Sequence, residues 1–169
     1  MSDQDIFDYL YWCADRYLSY RPRTEFEIRR YLKRKLYSRD IIDPDQQEEF
    51  LEKIIEKLTE EERLDDGKFL KLFVDERQYF KPRGKRRLVL ELKQKGVPNP
   101  LIDEYFASNN VDEPPLIRDI LKKKFFLMGP QDESEIDQKT IQKITNHLLR
   151  RGFSYANIKL AFEEFLKKK

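Results

Sequence analysis

The residues with the clearest chemical character run from Tyr20 to Lys35. Tyr20-Arg21-Pro22-Arg23-Thr24-Glu25 joins an aromatic ring, a proline and two arginines, and Arg29, Arg30, Lys33, Arg34 and Lys35 follow. Sixty positions later, Phe80-Lys81-Pro82-Arg83-Gly84-Lys85 repeats the order aromatic, base, proline, arginine, and Arg86 and Arg87 come next. A fainter version near the C-terminus holds Lys143, Arg150 and Arg151. Clustered cations of this kind suit the phosphates of a polyanion, and rings set among them suit stacking on bases. The candidate binding residues are therefore Arg21, Arg23, Arg29, Arg30, Lys33 and Arg34 in the first cluster. Lys81, Arg83, Lys85, Arg86 and Arg87 form the second, and Lys143, Arg150 and Arg151 the third. Tyr20, Tyr31, Tyr37, Tyr79 and Phe80 are the interleaved rings, each equally suited to a core.

Catalytic chemistry has little support. His147 is the sole histidine and Cys13 the sole cysteine, so no zinc-type cluster can form from them. No glycine-rich phosphate loop is present, and Gly84 alone does not make one. Asp65 and Asp66 are adjacent carboxylates, but they follow a predicted helix end, where acids serve turns. The expectation is a non-enzyme with no metal and no cofactor. No base-reading pattern stands out, so nucleic-acid contact is expected to be sequence-independent, modest and steeply salt-dependent.

The net charge of +2 conceals a partition. Residues 21–39 carry eight bases and two acids, residues 43–66 eleven acids and three bases, and residues 77–95 eight bases and one acid. Such blocks place bases on some elements and acids on others. The acidic stretch would repel DNA and stay available to a protein partner. The apolar and charged fractions are both 39%, which suits an array of small modules better than one sphere. A single cysteine favours a reducing cytoplasm. Neither a signal peptide nor a membrane span is expected, and a monomer is expected because no spare apolar stripe is evident.

The elements that position these residues read as helices. Ser2 and Asp5 cap a first helix with the stripe Ile6, Leu10, Cys13 and Tyr17. Pro22 ends it, and Thr24 caps a second helix with Glu27 at the capping-box position and Ile28, Leu32 and Leu36 buried. Asp43 and Pro44 start a third, with Leu51, Ile54, Ile55 and Leu58 inward. Phe69, Leu72, Phe73 and Phe80 mark a fourth. The fifth runs from Lys85 to Lys95, buries Leu88 and Leu92, and closes at Gly96. Asn99-Pro100 opens a sixth, a seventh covers about 115–127, and a loop from Gly129 to Asp137 follows. The eighth carries Ile141, Ile144 and Leu148 and stops at Gly152, and Ser154 caps the ninth.

Shifted by 56, Leu88, Leu92, Gly96, Val97, Ile102 and Phe106 fall on Ile144, Leu148, Gly152, Phe153, Ile158 and Phe162. The pattern predicts an all-α chain of three tandem three-helix repeats, 1–66, 67–110 and 111–169, forming an elongated, curved array.

At this point the chain resembles the RecX family of bacterial RecA modulators. The resemblance rests on Tyr20-Arg21-Pro22-Arg23-Thr24-Glu25-Phe26-Glu27-Ile28-Arg29-Arg30-Tyr31-Leu32, on Leu64-Asp65-Asp66 with Phe69, and on Lys81-Pro82-Arg83-Gly84. It continues through Leu92-Lys93-Gln94-Lys95-Gly96-Val97 and Leu149-Arg150-Arg151-Gly152-Phe153-Ser154. It implies a tandem-repeat protein that binds the RecA–single-stranded DNA filament in its groove, inhibits ATP hydrolysis and strand exchange or promotes disassembly. Two other readings stay open: a nucleic-acid-binding protein with no recombinase partner, and a helical adaptor for an acidic protein.

Overall fold

The computed structural model describes residues 2–39, 43–127 and 137–167; the expected loop from Gly129 lies almost wholly outside them. Within these residues there are nine helices and no strand. They are α1 (Asp3–Ser19), α2 (Glu25–Tyr37), α3 (Pro44–Glu60), α4 (Asp66–Phe80), α5 (Lys85–Gln94), α6 (Asn99–Ser108), α7 (Glu113–Leu127), α8 (Gln138–Arg150) and α9 (Tyr155–Lys167). The fold is a helical repeat array.

Most helix starts follow local chemistry. Ser2 and Asp5 form a reciprocal capping box on α1, and Thr24, Asp43 and Asp137 each accept a backbone N–H two or three residues into their helices. Pro44 takes the first position of α3, where no N–H is needed. Ser154 accepts from Asn157 N at 3.2 Å. The seventh helix begins at Glu113, so Pro114 and Pro115 sit in its first turn rather than in the linker before it. Gly96 and Gly152 have φ of 79° and 86° and end α5 and α8 in the left-handed region.

The chain forms two compact units, Met1–Phe73 with Leu92–Ile102 and Val74–Glu91 with Asp103–Lys169. In the first, α1, α2 and α3 pack on one another around Leu10, Ile28, Leu32, Leu36, Leu51, Ile54 and Leu58, all fully buried, with Cys13 among them. Each such aliphatic side chain contributes about 1.5–3 kcal/mol by leaving water. Phe69, Leu70, Phe73, Leu92, Val97 and Ile102 are buried in the same unit. In the second, α7 lies along α9 and α8 packs on α9 around Ile117, Leu121, Leu148, Phe153, Ile158 and Ala161.

Of the four residues that mark α4 in the sequence, only two face inward. Leu72 and Phe80 are exposed, whereas Leu70 and Val74 are buried with Phe69 and Phe73. The inward face of α4 therefore runs through Phe69, Leu70, Phe73 and Val74.

Each unit contains the same joint. In the first, the Thr24 hydroxyl donates to the Lys95 carbonyl at 2.6 Å, and Asp66 Oδ1 accepts from Glu25 N at 2.9 Å. Phe26 lies directly over Gly96, where an added Cβ would come within 2.2 Å of its Cβ. In the second, Gly84 N donates to the Arg151 carbonyl at 3.0 Å, and Glu113 Oε1 accepts from Lys85 N at 3.1 Å. Here Arg87 covers Gly152, whose Cβ would stand 2.5 Å from Arg87 N. In both places the entry to one helix seals the carbonyl end of another, and an acid from a third seals its N-terminal amide. The proline corners are fixed by these bonds.

Candidate nucleic-acid interface

The helix α2 forms because Thr24 caps it, acids occupy its first turn and bases its last, and Ile28, Leu32 and Leu36 repeat on one face. That burial turns the remaining side chains outward, but not to the same surroundings. Arg29 is held by Glu25 at 2.6 Å, Glu48 at 2.7 Å and Glu52 at 2.9 Å. Burial alone would disfavour its charge, yet Glu25 and Glu52 hold its pKa above the ordinary value. Arg29 thus serves to tie α2 to the acidic α3.

The proline corner is also internally bonded. Arg21 donates to both oxygens of Glu27, at 2.9 and 3.2 Å, and Lys95 Nζ reaches Glu27 at 2.9 Å. Glu27 is buried, which by itself would raise its carboxyl; the bonds from Arg21 and Lys95 and their charges outweigh this and hold it at about 2. The sequence places Glu27 in a capping box, but its carboxylate is turned to these two cations. Arg23 lies over the Tyr17 ring at 3.9 Å, and Tyr17 stacks on Tyr31 at 4.1 Å.

Arg30, Lys33 and Arg34 remain exposed on α2. Lys33 stands 3.2 Å from Glu48, and Arg30 lies over the Phe26 ring at 5.6 Å. Phe26 and Tyr37 are 46% and 69% exposed at the two ends of this face. Together with Arg29 and Gln47 they line an open groove of about 570 Å³. Rings beside three exposed cations offer stacking surface and phosphate contacts on one helix face. Phe26 escaped the sequence reading, although its place four residues before Arg30 and off the Ile28 stripe was a usable signal.

In the second unit, Lys81, Lys85 and Arg86 are exposed, with Lys85 Nζ over the Phe106 ring at 5.3 Å. Arg87 is engaged with Glu91 at 2.8 Å, and Arg77 reaches the same carboxylate at 2.9 Å. Burial would raise Glu91, but the bonds from Arg77 and Arg87 keep its pKa below the ordinary value. Arg83 is half-buried, 4.0 Å from Glu91. Lys143 and Arg150 are exposed on α8, and Arg151 is half-buried at its end. Tyr79 and Phe80 are exposed and edge-to-face at 4.8 Å, and Tyr20 is exposed as well; Tyr31 is the interleaved ring that joins the core.

Asp65 and Asp66 each hold a backbone amide: Asp65 Oδ1 accepts from Lys68 N at 2.8 Å, and Asp66 from Glu25 N. Among the described residues, no group of three or more histidines, cysteines or acids is arranged to hold a metal ion, and no helix is long and apolar enough to cross a membrane.

Two family profiles match the chain: "RecX, first three-helix domain" over residues 13–44, and "RecX, second three-helix domain" over residues 65–105. The chain is 33% identical over 150 residues to the regulatory protein RecX of Prosthecochloris aestuarii, covering 89% of both chains. It is 30% identical over 149 residues to that of Streptococcus pneumoniae strain Hungary19A-6, and spans about half (52%) of that longer relative. The crystal structure of RecX from Lactobacillus salivarius superposes with a TM-score of 0.74 at 23% identity, covering 95% of this chain and 97% of that one. A second crystal structure, of a regulatory protein RecX, gives 0.71 at 25% identity, covering 95% and 74%. With its helical repeats, its doubled proline corner and a relative matched over nearly its whole length, this chain belongs to the RecX family of regulatory proteins.

Proposed function

We propose that this protein is a non-enzymatic modulator, chiefly an inhibitor, of the RecA recombinase, acting by binding the RecA–single-stranded DNA filament. Family membership supports the regulatory role, and the observation that carries the contact is the open face of α2. Arg30, Lys33 and Arg34 lie beside exposed Phe26 and Tyr37 and are the exposed cations of that helix that can meet phosphate or an acidic protein surface, Lys33 by exchanging its Glu48 partner. Lys81, Lys85 and Arg86 do the same for α5, and Lys143 and Arg150 for α8. Three repeats, 1–66, 67–110 and 111–169, remain the natural division, since three described helices fall essentially within each.

Binding at these faces suppresses ATP hydrolysis and strand exchange by occupying filament surface, which needs no cofactor. The protein works as a monomer in the cytoplasm, and its own single-stranded DNA affinity is weak and independent of sequence. The groove beside α2 also favours a second reading, a nucleic-acid-binding protein without a recombinase partner. RecA ATPase on single-stranded DNA separates the two. Inhibition at protein amounts well below the DNA supports filament modulation, and inhibition only when DNA is saturated supports competition. With Arg30, Lys33 and Arg34 reversed to Glu, inhibition should be lost while the helical circular dichroism is kept; full inhibition by that variant refutes the contact.

A further inference from the structure

The second compact unit contains a cluster of cations of which the contact faces above use only Arg150. The bond from Gly84 N to the Arg151 carbonyl seats the Pro82-Arg83-Gly84 corner on the last turn of α8. His147 lies one turn before Arg151, and its carbonyl accepts from Arg151 N at 3.2 Å. Arg83 Nε and His147 Nε2 are both buried, and among the described residues neither has a hydrogen-bond partner. Lys124 from α7 and Arg150 from α8 add positive charge around the imidazole.

The described carboxylate nearest Arg83 is Glu91, at 4.0 Å from Nε, and it is already engaged by Arg77 and Arg87. Among the described residues, Lys124, His147, Arg150 and Arg151 form no ion pair with an acid. A basic helix end often just complements the last carbonyls. Here the carbonyls of His147, Leu148 and Leu149 are satisfied by backbone amides, so the two buried nitrogens gain nothing from them. Leaving such groups unmatched is unfavourable, and crowding cations around them adds to it. An anion with several acceptor oxygens offsets the crowded positive charge, and a guanidinium fork suits a tetrahedral oxyanion.

We propose that Arg83, His147 and Arg151 form an oxyanion site that takes a phosphate group. The site stands whether or not a recombinase is the partner. Its phosphate can come from free phosphate or from a nucleic-acid backbone. Burial first, then Lys124, Arg151, Arg150 and Arg83, holds the empty imidazole below its ordinary pKa. A bound anion reverses the local sign of charge and stabilises the imidazolium. Binding therefore takes up a proton, and affinity rises as pH falls through the pKa of the occupied site.

His147 is the sole histidine, so its imidazole NMR signal is unambiguous. The full chain is titrated over pH at constant ionic strength in chloride, with inorganic phosphate, and with a short oligothymidylate. The expected result is a saturable rise in the His147 pKa of about half a unit or more with at least one probe. It is abolished by Arg83→Gln and by Arg151→Gln, with helical circular dichroism as the check on folding. A rise with both probes assigns free phosphate as a sufficient ligand; a rise with oligothymidylate alone assigns the backbone as the source. An identical pKa in all three solutions overturns the proposal, as does a rise of equal size in a folded variant.

Discussion

The Thr24 hydroxyl donates to the Lys95 carbonyl at 2.6 Å while its oxygen accepts from Glu27 N at 3.2 Å. One buried side chain therefore caps the start of α2 and the end of α5 together. The equivalent position in the second joint is Gly84, whose own amide reaches the Arg151 carbonyl. The same seal is made by a side chain in one place and by backbone in the other, because the second approach is too close for a Cβ: one on Gly84 would stand 2.2 Å from the Gly152 oxygen.

Thr24→Ala should destabilise the protein by about 2 kcal/mol, from a lost cap and an unmatched buried carbonyl. Thr24→Ser should recover most of it. Urea unfolding midpoints read both, and an alanine variant as stable as wild type would remove the double cap from the account.

Gly84→Thr, which copies the first joint into the second, should be worse rather than neutral. The added Cβ must displace the Gly152 backbone, at a cost of about 2 kcal/mol or more. Thermal unfolding of Gly84→Thr against wild type measures it.

Glu27→Gln should lower stability at neutral pH by about 2 kcal/mol, since Arg21 and Lys95 lose their shared charge. The folded carboxyl sits at about 2, below its ordinary 4.5, so its contribution is present above 4.5 and disappears as pH falls toward 2. The gap between wild type and Glu27→Gln in chemical denaturation should close over that window. A gap independent of pH would mean that the pair is not the source.

Neutralising Arg30, Lys33 and Arg34 to Gln should reduce the slope of log affinity for single-stranded DNA against log salt by about 2, if each meets one phosphate. Arg29→Gln should instead lower stability by loosening α2 from α3, with little change in that slope. Fluorescence anisotropy across a salt series and a denaturation curve distinguish these outcomes.

Phe26→Ala and Tyr37→Ala should each weaken single-stranded DNA binding by about 1–3 kcal/mol if a base stacks there, and weaken duplex binding less. Equal losses for the two DNA forms would assign the rings to another contact.

Much of this was legible along the chain because it rests on short-range chemistry. The caps at Ser2, Thr24, Asp43 and Ser154 and the stops at Gly96 and Gly152 lie within a few residues of what they act on. The repeated spacing of apolar residues then placed the helices and the fold class. Which of the apolar residues crowding α4 turn inward was not legible, because that depends on the neighbouring helices; Leu72 and Phe80 turn out exposed. Glu27 occupied a capping-box position by spacing, but its partner Lys95 lies 68 residues away.

By itself, then, the sequence determined the helices, their repetition and the family, since caps, breakers and periodicity are local. Only the tertiary structure decided which of the cations are open. Arg29 and Arg30 are adjacent and chemically identical, yet Glu48 and Glu52 of α3 hold the first and leave the second in solvent. It likewise brought the Arg83 corner to the end of α8 at His147 and Arg151, and left two of their nitrogens buried without a partner among the described residues. Charge can be counted along a chain, but its neutralisation depends on which helices pack together.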